Sequence, residues 1–459
     1  MSDEPQASLA QHSAHRLRRI LLLSLTVITL AILGFVFTRN LIDFPVYYAA
    51  GRSLVSGRTD LYSADFAAGR VMDYRYPPFF VLAFVPLWLI PYSIAAYIWY
   101  LLEVFQIIGC VVILRRVIGP ERLTWKVWLI TALAVGQYYV MVLHYGNAHL
   151  MAVFLLFVAF YFAFREKNLH GALAMSLAIT IKITPLLLLP YFALKRKTRF
   201  LLLTGALLIA ANLAPAAYFG FKQNAELLKA WYGNVVAGQE FHEANGPINL
   251  SLKGQLRRYF TRVDYSQRVD GDVQYPAVNA ASLSARQTDT AWMIVAAIVF
   301  SAALAVVWKS SRRRPGESAP GRSGEREREG EHDWFAGQAA LEFGLMICVG
   351  LFIGPLTSKI YFIALLWPVA CLASLSMHKA TSGPRFTYRA VLVIAVINCV
   401  LPLLPGRSVQ RLLLVLGADF YVNCLLLAAL TYALIANRHS LQRRSVEPQT
   451  QDPSTARTP

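Results

Sequence analysis

The first acidic residue after the N-terminal apolar run is Asp43, within NLIDFPVYYAAGRSLVSG (40 to 57). A carboxylate at the edge of a membrane segment can act as a general base if it reaches a hydroxyl proton and its surroundings favour proton uptake. Asp43 also fits a structural role, because aspartate is a favoured helix N-cap and Pro45 suits a helix's first turn. The two roles are compatible. We predict Asp43 as the catalytic residue.

Three more residues of the short helix predicted after Asp43 are candidates for binding a substrate. Tyr47 lies one helical turn after Asp43, and Tyr48 and Arg52 are four residues apart, so each pair shares a helix face. Tyrosines at this level often form an interfacial aromatic belt. In a functional site they instead pack against a sugar ring or a lipid chain, while Arg52 offers its fork of donors to a phosphate.

Arg75 precedes the next apolar segment, in MDYRYPPFF (72 to 80). The paired prolines predict an extended entry into that segment. Arg75 then lies at the level of the lipid head groups, where it either binds a phosphate or is an ordinary interfacial cation whose stem covers apolar surface.

Lys182 stands inside LAITIKITPLLLLP, with apolar residues on both sides. A lysine at bilayer depth costs about 2.5 to 3.5 kcal/mol on insertion scales. A carboxylate, a water-filled cavity or an anionic ligand has to offset that cost, and Pro185 frees a backbone carbonyl that can help. Glu103 and Glu342 are the main acids in the apolar runs. The alternatives are an internal pair between Lys182 and Glu103, and a cationic site that faces a phosphate.

A polar island interrupts the apolar pattern at HYGNAHL (144 to 150), where it places two histidines, His144 and His149, and Asn147 around a glycine. Such residues are common in simple turns. We also count His144 and Asn147 as candidates for contacting a substrate.

A second island, GPLTSKIYF (354 to 362), places Ser358, Lys359 and Tyr361 at a turn. In the predicted topology this turn shares the outer face with Asp43. Lys359 is therefore another candidate for binding a substrate phosphate.

The composition is that of a membrane protein, since 56% of the 459 residues are hydrophobic and only 15% are charged. The net charge of +18 does not indicate nucleic-acid binding, because Lys and Arg occur in short clusters between apolar runs, such as HRLRR, KRKTR and RHSLQRR. Polytopic membrane proteins mark their cytoplasmic loops in this way. The five cysteines lie in apolar stretches without C-x-x-C spacing, so we interpret them as core residues.

The apolar runs predict an all-α integral membrane protein, a polytopic helical bundle with about twelve transmembrane helices. The candidate spans are 20 to 38, 78 to 91, 93 to 114, 127 to 143, 148 to 164, 171 to 194, 200 to 219, 290 to 308, 338 to 355, 359 to 377, 387 to 405 and 411 to 436.

The predicted membrane domain, 20 to 436, lies between two cytoplasmic tails, 1 to 19 and 437 to 459. Its outer loops are 39 to 77 and 220 to 288. The loop 309 to 336 is charged, rich in Gly, Pro and Ser and almost free of hydrophobes, which predicts a disordered cytoplasmic loop.

Two topologies fit the first half of the chain. In the version that we favour, 78 to 91 and 171 to 194 are each one span, and Arg115, Arg116 and Arg165 fall outside, against the positive-inside tendency. In the other version, 78 to 91 only dips into the membrane and 171 to 194 is a hairpin broken at KITP. The same cations then fall inside.

The polar islands, by their order and spacing, resemble those of the polyprenol-phosphate-mannose-dependent glycosyltransferases of glycosyltransferase family 87, within the GT-C superfamily. The matching stretches are DFPVYYAAGRSLVSGRTDLY, YRYPPFFVLAFVPLWLIP, GNAHLMAVFLLFVA, HGALAMSLAITIKITPLLLLPYFALKRK, NLSLKGQLRR and GPLTSKIYFIALLWP. They lie between residues 40 and 370.

The resemblance implies a GT-C-type bundle whose first outer loop carries an essential aspartate, which Asp43 matches. Such enzymes transfer a sugar, usually mannose, from a polyprenyl-phosphate carrier to a lipid or glycan acceptor on the outer face, with inversion. The implied partners are thus a lipid-linked donor and an acceptor, in a bacterial plasma membrane. No cofactor is firmly implied, although the chemistry leaves room for a divalent cation. Family members often carry a histidine-rich S-x-D-H-H stretch where this chain has TSKIY, so the acceptor stays open.

The main alternative is a transporter or flippase for a lipid-linked saccharide, because Lys182 in a broken helix also suits a substrate path. The lack of clear internal repeats and the aspartate in the first outer loop speak against it. A membrane scaffold without chemistry leaves the cost of burying Lys182 unexplained.

Overall fold

The computed structural model consists of helices joined by turns. It describes residues 18, 21, 24 to 63, 74 to 82, 84 to 237, 246, 248 to 262, 275 to 311, 325 to 377, 385 to 404 and 406 to 444, with side chains described outside 311 to 336 and 437 to 444. No strand occurs among these residues. The prediction of an all-α protein is confirmed for this part of the chain.

The first half of the chain contains α1 (Ser24–Thr38) and ten further α-helices. These are α2 (Phe44–Val55), α3 (Pro78–Leu82), α4 (Val85–Trp88), α5 (Tyr92–Ile118), α6 (Trp125–Tyr145), α7 (His149–Phe164), α8 (Asn168–Ile181), α9 (Leu189–Leu194), α10 (Thr198–Leu213) and α11 (Ala216–Phe219). A 3-10 turn over Thr184–Leu188 joins α8 to α9.

The second half continues with eight α-helices among the described residues. These are α12 (Phe221–Trp231), α13 (Leu252–Phe260), α14 (Ala285–Ser311), α15 (Glu325–Ile353), α16 (Leu366–Met377), α17 (Arg385–Val400), α18 (Arg407–Leu416) and α19 (Ala418–Arg444). A π-helical turn (Tyr232–Ala237) follows α12, and 3-10 turns over Lys359–Leu365 and Leu401–Leu403 precede α16 and follow α17.

In the described part of the chain, seven helices are long and apolar enough to cross a membrane. They cover Tyr92–Ile118, Trp125–Tyr145, Thr198–Phe219, Ala285–Ser310, Lys359–Met377, Arg385–Leu403 and Ala418–Ala436. Five shorter apolar helices accompany them: Ser24–Thr38, His149–Phe164, Asn168–Ile181, Thr184–Leu194 and Gly337–Ile353. The architecture is that of an integral membrane protein, while the count of twelve spans stays a prediction.

The version of the topology that we favoured is wrong in two places. Residues 78 to 91 do not form one span: they contain only α3 and α4, because Pro86 lacks the N–H group that would continue a helix. Residues 171 to 194 are two helices, since Lys182 has an extended backbone (φ −141°, ψ 129°) and Pro185 opens a 3-10 turn. The structure therefore fits the other version.

Basic side chains gather at the end of the bundle opposite Asp43. Helix α7 begins at His149, close to Asp43, and its 16 residues extend roughly 24 Å at 1.5 Å per residue. Near its far end, the guanidinium groups of Arg116 and Arg165 lie 6.0 and 4.8 Å from the ring centre of Tyr161. These cations thus lie where the positive-inside tendency expects cytoplasmic charge, if Asp43 faces outward.

The predicted tails and charged loop fall largely outside the described residues, as 312 to 324 and 445 to 459 do. Helix α15 begins at Glu325 and α19 ends at Arg444. Both helices therefore extend into the charged loop and the C-terminal tail that we predicted to be disordered.

Helix α2 is not a membrane span but a short helix packed against the bundle. A Cβ atom at Gly51 would lie 2.8 Å from the Phe84 carbonyl oxygen, so only glycine permits this close approach. Phe44 and Tyr47 of α2 are buried in a small aromatic core that also contains Phe80, Phe84 and Trp99. This core fixes the start of α2, and with it Asp43, on the bundle.

The topology is testable by accessibility labelling with a membrane-impermeant thiol reagent. We expect Ser56→Cys, exposed just after α2, to react in intact cells, and Arg116→Cys to react only after permeabilisation. Both cysteines are introduced into a variant in which Cys399 and Cys424 are replaced by Ser, because these two native cysteines are not fully buried and could react themselves. Reaction of Arg116→Cys in intact cells would contradict the structure-based topology.

Candidate active site

The Asp43 carboxylate is buried, only 6% exposed, and is held by a side chain from another part of the chain. The Asn147 amide donates to Asp43 Oδ2 at 2.5 Å, and Asn147 Oδ1 accepts from the His149 N–H at 2.7 Å. The Asp43 side chain makes no capping hydrogen bond to α2. The capping role is therefore wrong, and the carboxylate is positioned by the α6–α7 turn instead.

A tight turn at Gly146 brings Asn147 to Asp43. Gly146 has a left-handed backbone (φ 63°), and a Cβ atom there would lie 3.0 Å from Leu41, so the position favours glycine. The Asp43 N–H donates to the Tyr145 carbonyl at 2.9 Å, and the Trp99 indole donates to the Gly146 carbonyl at 3.1 Å. Backbone and side chain of Asp43 are thus both fixed by this turn.

Tyr47 lies beside Asp43 and is only 2% exposed, so it is not part of an aromatic belt. Its hydroxyl lies 2.8 Å from the Tyr76 hydroxyl and accepts from the Ala148 N–H at 3.3 Å. Burial raises the pKa of Tyr47 well above its usual value, and burial also raises that of Tyr76. Both tyrosines therefore stay protonated near neutral pH and offer hydroxyl groups rather than charges.

Lys182 reaches the same site from the break between α8 and the 3-10 turn. Its ammonium donates to the Tyr361 hydroxyl at 3.1 Å and lies 5.4 and 5.0 Å from the ring centres of Tyr76 and Tyr361. It is also close enough to Asp43 for an electrostatic interaction. Cation–π contacts of this kind contribute about 0.5 to 2 kcal/mol each and offset part of the insertion cost.

The alternative pair between Lys182 and Glu103 does not form. Glu103 is buried on α5, one turn after Trp99, and makes no ion pair with Lys182. Glu342 is paired with Lys195. Lys182 is therefore stabilised by tyrosines rather than by a carboxylate in ion-pair contact.

His149 belongs to the site, whereas we predicted only His144, from the same polar stretch, as a substrate contact. The His149 ring is buried and stacks on the Tyr361 ring, with 4.2 Å between ring centres and 19° between planes. His144 is exposed, and its ring lies 6.3 Å from the Tyr145 ring. The available signal was periodicity, because His149 is the first residue of an apolar helix whose inner face continues with Ala152 and Val153.

Two predicted phosphate ligands lie away from this cluster. Arg52 is exposed and nine residues along α2 from Asp43, roughly 13 Å at 1.5 Å per residue. Lys359 forms an ion pair with Asp419 at 3.8 Å, and Asp419 also accepts a hydrogen bond from the Tyr138 hydroxyl at 2.7 Å. Lys359 shares a 3-10 turn with Tyr361 but points to a separate polar group.

Arg75 and Tyr48 have structural contacts at the border of the site. The Arg75 carbonyl accepts from the Trp231 indole at 3.3 Å, which ties α12 to the segment before α3. The Tyr48 hydroxyl donates to the Ile90 carbonyl at 2.9 Å. Both residues stay candidates for contacting a bound substrate.

The cluster thus combines one carboxylate, one ammonium, several tyrosine hydroxyls and one imidazole. Asp43, Tyr47, Tyr76, Asn147, His149, Lys182 and Tyr361 are its members. Across the described ranges, no three His, Cys, Asp or Glu side chains lie together as a metal site. Such a set can take a proton from a hydroxyl at one side and bind an anion at the other.

A profile of glycosyltransferase family 87 matches residues 74–323, more than half of the chain. The matched range contains Asn147, His149 and Lys182, whereas Asp43 and Tyr361 lie outside it. One similar protein is the polyprenol-phosphate-mannose-dependent alpha-(1-2)-phosphatidylinositol pentamannoside mannosyltransferase of Mycolicibacterium smegmatis.

That relative is 30% identical over 127 residues, which is 26% of this chain and 31% of the relative. The chain therefore covers only about a third of the relative's length. No solved structure matches the chain significantly.

The hydrogen bond from Asn147 to Asp43 predicts how a substitution at residue 147 changes the stability of the protein. Asn147→Ala leaves the buried carboxylate without the Asn147 donor and the His149 amide without its acceptor, so we expect a loss of about 1 to 3 kcal/mol. The matched control is His144→Ala, three residues away but exposed, which should change stability by less than about 0.5 kcal/mol. Thermal unfolding in detergent measures both. Equal stability of the two variants would contradict the assigned role of Asn147.

Proposed function

Because the chain belongs to glycosyltransferase family 87, we propose that it transfers a hexose, mannose by the likeness of its relative, from a polyprenyl-phosphate donor to a lipid or glycan acceptor. The reaction takes place on the non-cytoplasmic face of a bacterial plasma membrane and inverts the anomeric centre. The observation that carries the proposal is that Asp43 and Lys182, from distant parts of the sequence, belong to one cluster, in which the hydroxyl of Tyr47 meets that of Tyr76 and Lys182 lies over the Tyr76 ring.

In this proposal Asp43 is the general base. The acceptor hydroxyl gives its proton to the Asp43 carboxylate while its oxygen attacks the anomeric carbon of the donor sugar. The bond from that carbon to the phosphate oxygen breaks, and its electron pair stays on the polyprenyl phosphate. Asn147 supports this role, because its hydrogen bond to Oδ2 fixes the position of the carboxylate.

Lys182 is the proposed cation for the donor phosphate. The leaving phosphate gains negative charge as the glycosidic bond breaks, and a fixed cation next to it lowers the barrier. Tyr361 supports this role by holding the ammonium of Lys182, and the Tyr76 ring limits its movement from another side. Base and cation come from different elements, so acceptor and donor can approach from different directions.

The transport alternative rests on the broken helix at Lys182. A flippase needs a path that carries a saccharide across the bilayer, whereas the Asp43 cluster lies at one end of the bundle and is packed by the aromatic core around α2. The family membership also favours the enzyme.

Asp43→Asn tests the base directly. Asparagine keeps an oxygen that can accept from Asn147, but its amide takes up no proton, so folding should be preserved while sugar transfer falls roughly 100- to 10,000-fold. The matched control is Asp60→Asn in the same outer segment. Asp60 forms an exposed ion pair with Arg58, so its loss should leave both stability and transfer near wild type.

The readout is radiolabelled sugar transfer from polyprenyl-phosphate mannose, with size-exclusion profiles as the check on folding. Undiminished transfer by Asp43→Asn removes Asp43 from the mechanism. Undiminished transport of a lipid-linked saccharide by a variant without transferase activity favours the flippase.

Lys182→Met tests the phosphate site. A hydrogen bond to a charged group contributes about 1.5 to 3 kcal/mol, so we expect the KM for the donor to rise roughly 10- to 100-fold while the KM for the acceptor stays unchanged. Arg52→Met is the control, because Arg52 lies outside the cluster and should leave the donor KM unchanged. A rise in donor KM for Arg52→Met alone would reverse the two assignments.

A further inference from the structure

Helix α5 carries a stripe of exposed apolar side chains that ends in an arginine. Phe105, Ile108 and Val112 are 61%, 55% and 39% exposed, and the exposed Arg116 continues the series. The spacing of three, four and four residues keeps all four on one helix face, which we call the α5 stripe. In a membrane protein, an exposed apolar stripe of this kind faces lipid.

Helix α7 carries a matching stripe. Phe154, Val158 and Tyr161 are half-buried, and the exposed Arg165 directly follows the helix. Their spacing of four, three and four residues again keeps them on one helix face, which we call the α7 stripe. Each stripe therefore begins with a phenylalanine and ends, eleven positions later, with an arginine.

Contacts at both ends align the two stripes side by side. The rings of Phe105 and Phe154 lie 6.2 Å apart at one end. At the other end, the guanidinium groups of Arg116 and Arg165 both lie near the Tyr161 ring. The two helices are thus parallel and in register, and their stripes form one surface, the α5–α7 surface, which is apolar along its length and basic at the end opposite Asp43.

The length of the α5–α7 surface matches one leaflet of a bilayer. Eleven residues of helix extend roughly 16 Å at 1.5 Å per residue. The hydrocarbon layer of one leaflet is about 15 Å thick, half of the roughly 30 Å of the whole core. With the two phenylalanines near the middle of the membrane, the two guanidinium groups therefore lie at the level of the lipid phosphates.

Within the part of the chain that the structure describes, no carboxylate pairs with either of the two stripe arginines. Glu166 pairs with Lys197, and Glu121 lies 3.7 Å from Arg122. The positive-inside tendency accounts for basic residues at this end of the bundle. It does not account for two guanidinium groups that gather at one ring, where like charges repel each other unless an anion joins them.

We propose that the α5–α7 surface binds one anionic phospholipid of the leaflet opposite Asp43. The lipid phosphate lies at Arg116 and Arg165, whose forked donors suit phosphate geometry, and the acyl chains cover the two stripes. A head group with a net negative charge fits better than a zwitterionic one, because the latter brings a cation of its own to two arginines. The bound lipid joins α5 to α7, the helices whose other ends carry Trp99 and His149.

Thermal unfolding of the full-length protein in detergent with added lipid tests the head-group preference. We expect phosphatidylglycerol to raise the unfolding temperature with an apparent affinity at least about tenfold higher than that of phosphatidylcholine with the same acyl chains. Equal effects of the two lipids would overturn the proposal, because the charge would then not be recognised. An equal effect of glycerol 3-phosphate, which has no acyl chains, would also overturn it and indicate a site for a soluble phosphate.

Single substitutions test the two arginines. Arg116→Gln and Arg165→Gln should each weaken the apparent affinity for phosphatidylglycerol roughly fivefold. Arg115→Gln is the matched control, because Arg115 is also exposed near the end of α5 but lies about 100° around the helix from Arg116. The control should stay within about twofold of wild type. An equal loss in all three variants would indicate diffuse attraction to basic residues and overturn the proposal.

Photolabelling locates the bound lipid. Phosphatidylglycerol with a diazirine in the middle of one acyl chain is photolysed with the wild-type protein, and the adducts are mapped by peptide mass spectrometry. Adducts in 105–112 or 154–158 that fall at least about fivefold in the double variant Arg116→Gln, Arg165→Gln support the proposal. Adducts elsewhere, or labelling that is unchanged in the double variant, overturn it. A stable dimer without adducts in these two ranges also overturns it and assigns the surface to a second copy of the chain.

Neither measurement involves sugar transfer, and the proposed donor site at Lys182 lies at the other end of the bundle. A protein that binds phosphatidylglycerol at the α5–α7 surface but transfers no sugar supports the lipid site and refutes the transferase. A protein that transfers sugar but shows no preference for phosphatidylglycerol refutes the lipid site alone.

Discussion

The site depends on one hydrogen bond between elements that are far apart in the chain, from the Asn147 amide to the Asp43 carboxylate. A buried carboxylate needs donors to offset its desolvation. The α6–α7 turn supplies one, and Gly146 makes the turn tight enough to do so. The same Asn147 accepts from the first amide of α7, so the group that positions Asp43 also fixes the start of the helix carrying His149. Moving this turn would disturb the carboxylate and the imidazole together.

The break after α8 imposes a second constraint. The helix ends at Ile181, and the extended backbone at Lys182 brings the ammonium to Tyr76 and Tyr361. The 3-10 turn that follows, with Pro185 in its first turn, lines a small apolar pocket that His149 and Tyr361 also line. One irregularity of the backbone therefore positions a cation and shapes the space beside it.

The helical architecture and several residues of the cluster could be predicted from sequence, because both depend on local composition. Apolar run lengths gave the helical membrane architecture, and out-of-place polar residues pointed to Asp43, Asn147 and Lys182. Partner choice could not be predicted in the same way. Lys182 meets Tyr361 across 179 positions, and no local pattern encodes such a contact. For the same reason Lys359 was assigned to the site although its ion-pair partner is Asp419. The prediction of one span over 78 to 91 was wrong because hydrophobicity alone does not show that Pro86 interrupts the helix.

The residues of the cluster lie at helix ends rather than in helix middles, and this follows from how a membrane bundle is stabilised. In the middle of the bilayer, backbone groups need partners within their own helix, and side chains there are apolar and packed together. Helix ends leave amides and carbonyls that turns and side chains have to satisfy. Asp43 before α2, His149 at the start of α7 and Lys182 after α8 all occupy such positions. Polar chemistry is therefore least costly where helices end, and the cluster is built from such ends.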